Sequence, residues 1–261
     1  MRIALLVLIC FVGLNSFAGQ RDSLQWIKKQ EKLFTLYYTP ADSSIIFTIE
    51  KDLATGTRSV TRFFQTKSFK KKFDVYIFPN RDELNTQWSK DWAGPGFKSA
   101  CWMVASGVAH RLDILSPFCW KKEACDHNAG DADEVQKIIT HELVHVFHAQ
   151  HNPKPTFDGM DELSWLVEGL ATYASGQLNE ERINKVKAQL KQEKIPLTLT
   201  RLWTGADKYG RAGSFVQFMD KEYGRKKLIG LLKYTDNTSI LQSLKTDEAA
   251  LISKWREKMP E

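Results

Sequence analysis

A run of apolar residues interrupted by histidines constrains this chain more than any other feature. Residues 133–150 read D-E-V-Q-K-I-I-T-H-E-L-V-H-V-F-H-A-Q, with apolar side chains at helical spacing. The proline-rich segment 152–155 ends this pattern. His141 and His145 are four residues apart, so on a helix they lie one above the other. The sequence therefore predicts a largely buried helix with a polar face that some partner must satisfy.

The histidine pair and the glutamate inside it have the spacing of a metal site. Both imidazoles, of His141 and His145, can reach one zinc ion from the same helix face. Glu142 lies about one step round that face. It is therefore held off the metal but close to a metal-bound water, where a general base is needed.

A catalytic zinc site needs a third protein ligand and an open position. Glu168 is the favoured third ligand, because it is a carboxylate on a second, mostly apolar helix predicted at 163–175, where an unpaired charge is rare. His151 is the other candidate. It completes the pattern H-E-x-x-H-x-x-G-x-x-H only if His148 stands where that pattern has a sharply turning glycine.

Two segments together resemble a known family. H-E-L-V-H at 141–145, followed by W-L-V-E-G-L-A-T-Y at 165–173, resembles the gluzincin clan of zinc peptidases, to which thermolysin and the zinc aminopeptidases belong. The order of predicted elements from about residue 33 onward resembles the small secreted peptidase MA-like domains. The resemblance implies one Zn²⁺ held by His141, His145 and Glu168, with Glu142 as general base and a peptide or protein as substrate.

Tyr209 matches a position where such domains often carry a tyrosine. In related peptidases a tyrosine hydroxyl stabilises the tetrahedral oxyanion, and simple packing at a helix start is the competing interpretation. The G-A-M-E-N segment with which zinc aminopeptidases grip the substrate amine is absent. Both endopeptidase and exopeptidase activity therefore remain open. A zinc-containing module that binds a peptide, a glycan or a partner protein, with little or no catalysis, is the alternative hypothesis.

The predicted fold is α+β and zincin-like, a single domain over residues 19–261. A small mixed sheet with helices forms an N-terminal lobe, about 31–150, and helices form a C-terminal lobe, about 160–261. The zinc site is expected in the cleft between them. Strands are predicted at 33–39, 73–78, 101–105 and 111–115, with an irregular loop at 117–131. Further helices are predicted at 44–64, 81–88, 180–192, 211–223, 225–234, 240–244 and 247–258.

The first 18 residues have the character of a signal peptide. A basic start at Arg2 precedes an apolar run at 3–12, and Ser16 and Ala18 supply the small residues before a cleavage site. The run is too short to span a bilayer, so no stable membrane insertion is expected after cleavage. A secreted or periplasmic location follows. In that oxidising environment one disulfide among Cys101, Cys119 and Cys125 is expected, with the pairing open.

The net charge of +6 is modest, and the lysines are scattered rather than gathered into one stripe. This argues against a nucleic-acid partner. A monomer is the default expectation. Among the remaining histidines, His148 is expected to pack or to support the metal ligands from behind. His110 is expected at the surface.

Overall fold

The computed structural model describes residues 24–192 and 198–259. The predicted signal peptide, residues 1–18, lies outside these ranges. The fold is α+β, with one mixed sheet of five strands and eleven α-helices in the described residues. Within the same residues, no helix combines the length and the apolar character needed to cross a membrane.

The first half of the chain contains both strands and helices, and the described residues of the second half contain helices without strands. The strands are β1 Ile27–Gln30, β2 Phe34–Tyr38, β3 Phe73–Phe78, β4 Ala105–Val108 and β5 Arg111–Leu115. The helices of the first half are α1 Ile46–Phe63, α2 Arg81–Trp88, α3 Pro117–Glu123 and α4 Ala132–Gln150. Those of the second half are α5 Ser164–Ala174, α6 Glu180–Lys191, α7 Leu199–Leu202, α8 Lys208–Tyr223, α9 Arg225–Leu231, α10 Asn237–Leu244 and α11 Glu248–Lys258.

The sheet has the strand order β1-β2-β3-β5-β4. The three central strands are parallel, and β1 and β4 pair antiparallel at the two edges. Leu36, Val75 and Leu112 lie side by side across the central strands and are fully buried. Their burial with neighbouring aliphatic side chains supplies the hydrophobic driving force that holds the sheet against the helices.

Helix α4 joins the sheet to the helices of the second half. It packs against α1, β4 and α5. It begins at Asp131, whose side chain accepts hydrogen bonds from the backbone N–H groups of Asp133 and Glu134. This cap satisfies two of the amides that a helix start leaves without partners. The histidine pair is therefore carried by a well-defined, buried helix.

The predicted strand at 101–105 is wrong. Cys101 and Trp102 form a turn, and the strand of this region is β4, which runs through Gly107 before the chain turns at 109–110. The reason is Arg81, whose guanidinium donates hydrogen bonds to the carbonyls of residues 100, 101 and 103. Those carbonyls are therefore not available for a strand ladder.

The predicted loop at 117–131 contains a helix at its start. Ser116 caps α3 by accepting a hydrogen bond from the backbone N–H of Phe118, and Pro117 occupies the first helical position, where a proline is tolerated. The strand β1 and the short helix α7 were also not predicted. Both are four residues long and are held by neighbouring elements rather than by a strong pattern of their own.

One disulfide forms between Cys101 and Cys125. Cys119 is a free thiol that donates a hydrogen bond to the carbonyl of Pro79, 2.7 Å away. Burial raises the pKa of Cys119 to about 11, so this thiol stays protonated at neutral pH. The disulfide ties the loop before β4 to the segment that leads into α4.

Helices α5 and α8 approach each other closely at Gly169, next to Glu168. A Cβ atom at this position would lie 2.5 Å from the carbonyl oxygen of Ala212. Gly169→Ala is therefore expected to lower the free energy of unfolding by about 1–3 kcal/mol through overpacking. Gly230→Ala is the matched control, because a Cβ there meets no atom within 4 Å and alanine favours a helix. Urea unfolding of both variants tests this, and an unchanged midpoint for Gly169→Ala would contradict it.

Candidate metal centre

Three side chains converge where α4 packs against α5. His141 and His145 project from α4, and Glu168 projects from α5. One ligand atom of each residue lies within 4.8 Å of the other two. The Glu168 Oε2 atom is 3.3 Å from Nε2 of His141 and 3.7 Å from Nε2 of His145. The structure therefore brings Glu168, and not His151, to the histidine pair.

The donor atoms are spaced as a metal requires. Nitrogen and oxygen ligands that sit about 2.0–2.2 Å from an ion in tetrahedral geometry lie roughly 3.3–3.6 Å apart. The two Glu168 contacts fall in or next to this range. In addition, two imidazoles and one carboxylate form a donor set that suits a divalent transition metal. The group can therefore hold a metal ion without a large rearrangement.

Gln177 fixes the orientation of the His141 ring. Its side-chain oxygen lies 2.8 Å from Nδ1 of His141 and accepts a hydrogen bond from it. Because Gln177 holds a proton on Nδ1, Nε2 is the ring nitrogen left to bind a metal ion. Gln177 follows α5 in a turn where Gly176 has a φ of +80°. Sequence reasoning missed this residue, because a glutamine in a turn carries no signal of its own.

The carboxylate of Glu142 lies beside the ligands and away from solvent. The residue is buried, and the backbone N–H of Gly107 on β4 donates a hydrogen bond to its carboxylate. Burial raises the pKa of Glu142 to about 7, and the nearby Glu168 carboxylate adds to this effect. Its pKa is therefore close to that of a group that exchanges protons at neutral pH.

The close approach of β4 to α4 depends on Gly107. A Cβ atom there would lie 2.4 Å from the backbone carbonyl oxygen of Glu142. The missing side chain lets the edge strand lie directly against the helix at the motif, so that the Gly107 N–H reaches Glu142. This glycine falls between the strands predicted at 101–105 and 111–115, whereas the structure places it within β4.

Glu168 is the most accessible of the three donors. About 26% of its side chain is exposed, against 7% for His141 and 8% for His145. Burial favours the neutral carboxyl, but the imidazoles of His145 and His141 outweigh it and hold the pKa of Glu168 well below its usual range. The carboxylate is therefore ionised, as a metal ligand must be, and solvent reaches the group from its side.

Tyr209 also lies at the group. It belongs to the first turn of α8, which begins at Lys208 and not at 211 as predicted. Its ring centroid is 6.2 Å from that of His141. Burial raises the pKa of Tyr209, and the carboxylates of Glu168 and Glu142 raise it further. The hydroxyl therefore remains protonated and keeps its capacity to donate a hydrogen bond.

Three further histidines lie outside the group that could hold a metal ion. His151 donates from Nδ1 to the carbonyl of Phe147 at 2.7 Å and stacks on the Phe147 ring. His148 is fully buried against Phe157, and burial lowers its pKa to about 3. His110 is exposed in the turn between β4 and β5. None of the three therefore adds a donor to the site.

Comparison with known proteins assigns no family to this chain. No family model matches it, and no curated protein has a matching sequence. The likeness to gluzincin peptidases therefore rests on the two motif segments and on the order of the elements. The function is accordingly argued from the chemistry of the site.

Proposed function

We propose that this protein is a zinc-dependent hydrolase of peptide bonds, of gluzincin type. The observation that carries the proposal is the convergence of His141, His145 and Glu168 beside the buried Glu142. Two histidines and a glutamate are the ligand set of one group of catalytic zinc sites, in which the fourth position stays open. Glu142 then supplies the base that such a site needs.

Zinc is the metal that this donor set favours. Imidazole nitrogens suit zinc, whereas magnesium and calcium prefer sites built from oxygen alone. A zinc ion held by these residues supplies Lewis acidity, which polarises a carbonyl and lowers the pKa of water to about 7.

In this proposal Glu142 moves the proton. Its carboxylate accepts a proton from the attacking water and then delivers it to the nitrogen of the departing amine. Two features of the chain support this role. Burial keeps the pKa of Glu142 near 7, and the Gly107 N–H holds the carboxylate in place. Tyr209 has the complementary role, donating its hydroxyl proton in a hydrogen bond to the oxyanion.

We place the zinc site in a cleft between the N-terminal α/β lobe and the C-terminal helical lobe. His141 and His145 come from the first part of the chain, and Glu168 and Tyr209 come from the second. The strand β4 ends the sheet beside the motif and pairs with β5 alone among the described strands. An extended peptide can add to such an edge by backbone pairing, which would bring its carbonyl to the site.

Secretion or a periplasmic location, and a monomeric state, belong to the same proposal. The disulfide between Cys101 and Cys125 is consistent with an oxidising compartment.

The decisive experiment combines metal analysis with a peptide assay. We expect the mature protein to contain one zinc ion per chain and to cleave members of a quenched fluorescent peptide library. The cleavage sites would begin to define the specificity. Stoichiometric zinc without cleavage of any peptide would favour the binding-module hypothesis instead. A protein with no affinity for zinc would overturn the proposal.

Gln177→Ala is expected to weaken zinc binding by about 10- to 100-fold, because the His141 ring loses the hydrogen bond that orients Nε2. Competition with a chromogenic chelator measures the affinity. Gln192→Ala is the matched control, because this glutamine is exposed at the end of α6 and does not belong to the metal-binding group. Unchanged zinc affinity in Gln177→Ala would show that ring orientation is set by other contacts.

A further inference from the structure

Two cationic side chains lie beside Tyr209, whose ring also contacts that of His141. The guanidinium of Arg182, on α6, is 5.2 Å from the centroid of the Tyr209 ring. The Nζ atom of Lys208 is 5.5 Å from the same centroid. Lys208 also lies 4.4 Å from the ring of Trp203 and 4.9 Å from the ring of Trp102. Aromatic faces thus hold both cations in place.

Neither cation has an acidic partner among the described residues. No ion pair forms with Arg182 or Lys208 in residues 24–192 and 198–259. The Nη1 atom of Arg182 is buried and has no hydrogen-bond partner in the described part of the chain. Burial lowers the pKa of Arg182, which reflects the cost of keeping this charge away from water. An unsatisfied buried donor is destabilising unless a ligand completes it.

Two other arginines of this protein, Arg225 and Arg81, have guanidinium groups with several hydrogen-bond acceptors each. Arg225 forms two hydrogen bonds with the carboxylate of Asp220 and a third with the carbonyl of Phe63. Arg81 donates hydrogen bonds to the carbonyls of Ala100 and Cys101, and to that of Glu123 at the end of α3. Arg182 has no such set, although it lies next to the candidate site. Its buried Nη1 donor therefore calls for a group that the described part of the chain does not provide.

We propose that Arg182, assisted by Lys208, binds a carboxylate of the substrate and thereby sets its position at the site. This inference rests on the proposed peptide hydrolysis and names the substrate class within it. A guanidinium matches a carboxylate with two parallel hydrogen bonds, and a carboxylate is the anion that every peptide carries at its end. A glutamate or aspartate side chain offers the same chemistry.

The spacing limits where that carboxylate lies in the peptide. Arg182 and His141 lie 5.2 Å and 6.2 Å from the centroid of the Tyr209 ring, so their separation is at most the sum of these two distances. An extended chain covers about 3.3–3.6 Å per residue. The carboxylate is therefore expected within about three residues of the bond that is cleaved. A substrate held in this way has a free terminus, or an acidic residue, close to that bond.

Paired peptides separate the two sources of the carboxylate. Acetylated tetraalanine is used as the free acid and as the C-terminal amide. A second pair of amides carries either Glu or Gln at one position. If the terminus is recognised, the free acid is expected to exceed its amide by about 10- to 100-fold in kcat/KM. If a side chain is recognised, the Glu amide exceeds the Gln amide by a similar factor.

Arg182→Gln is expected to remove this preference, and Arg182→Lys to restore part of it. Lys185→Gln is the matched control, because it removes one positive charge from the exposed face of the same helix, where Lys185 pairs with Glu181. It is expected to keep the preference in full. If Arg182 only packs against Tyr209, Arg182→Gln would instead lower the hydrolysis of the free-acid peptide and of its amide by the same factor.

Calorimetry with Glu142→Gln protein tests the inference without turnover. We expect the preferred carboxylate peptide to bind about 10- to 100-fold more tightly than its neutral counterpart, and Arg182→Gln to abolish the difference. If this difference appears but the wild type cleaves nothing, the proposed hydrolysis fails and the carboxylate site stands. If neutral and acidic peptides bind and react equally, or if no peptide binds, the carboxylate site is overturned.

Discussion

Glu142→Gln is expected to abolish peptide hydrolysis while zinc remains bound. Glutamine has nearly the shape of glutamate, so the hydrogen bond from Gly107 is retained by the amide oxygen. The amide cannot accept a proton from water, however, and general-base catalysis is typically worth about 10²–10⁴-fold in rate. Glu142 is not one of the three converging donors, so the metal affinity is expected to stay within a few-fold of the wild type.

The measurement is kcat/KM on the best library peptide, together with the zinc content of the same preparation. Asp133→Asn is the control, because it removes a carboxylate from an exposed position on the same helix. That variant is expected to cleave at the wild-type rate. If Glu142→Gln kept wild-type turnover, the proton would be moved by another group. If it lost zinc instead, the residue would have to be reassigned as a ligand.

The convergence of the three donors could be predicted from the sequence. The histidine spacing is a local helical pattern, and the glutamate is an unusual charge within an apolar helix. The spacing of His141 and His145 is fixed by the helix, and α4 begins one residue from its predicted start. Glu168 could be selected because a charge in an apolar helix needs a partner. Its helix, α5, also lies within one residue of the predicted bounds. Periodicity and desolvation were sufficient for these residues.

The supporting contacts could not be predicted, because they join residues that are far apart in the chain. Gln177 reaches His141 across 36 residues, and nothing in its own surroundings indicates that role. The pairing of Cys101 with Cys125 likewise depends on a contact between distant residues. Arg81 donates a hydrogen bond to the carbonyl of Cys101 and so fixes the position of this cysteine. That Nη1 of Arg182 is buried without a hydrogen-bond partner can be recognised only from the positions of the surrounding residues in the folded structure.

The errors in the predicted secondary structure also arise from contacts between residues that are distant in the sequence. The pattern at 101–105 suggests a strand, but side-chain hydrogen bonds from Arg81 compete for the carbonyls that a strand would use. The edge strand β4 then forms further along the chain, at Ala105–Val108, where Gly107 permits contact with α4. Tertiary contacts thus overrode a weak local preference. The well-patterned strands β3 and β5 coincide with their predicted ranges.

Glu168→Ala is expected to remove zinc from the protein. The substitution takes away the oxygen that lies within 3.7 Å of both imidazole nitrogens and leaves two ligands on one helix. Loss of a residue that merely orients a ligand costs about 10- to 100-fold in affinity, so loss of the ligand itself is expected to cost more. Hydrolysis should disappear with the metal. The zinc content after dialysis against a chelator, compared with wild type, measures the effect.

His151→Ala provides the opposing test, because His151 is the competing third ligand in the sequence pattern. Its ring stacks on Phe147 and hydrogen-bonds the same residue's carbonyl, so the variant is expected to lose some stability but keep its zinc. Retention of zinc by Glu168→Ala together with its loss from His151→Ala would reverse the assignment. That result would require the chain after α4 to turn back toward His141, although His148 occupies the position where such a turn needs glycine. The contacts of Glu168 with both histidines therefore favour zinc loss in Glu168→Ala alone.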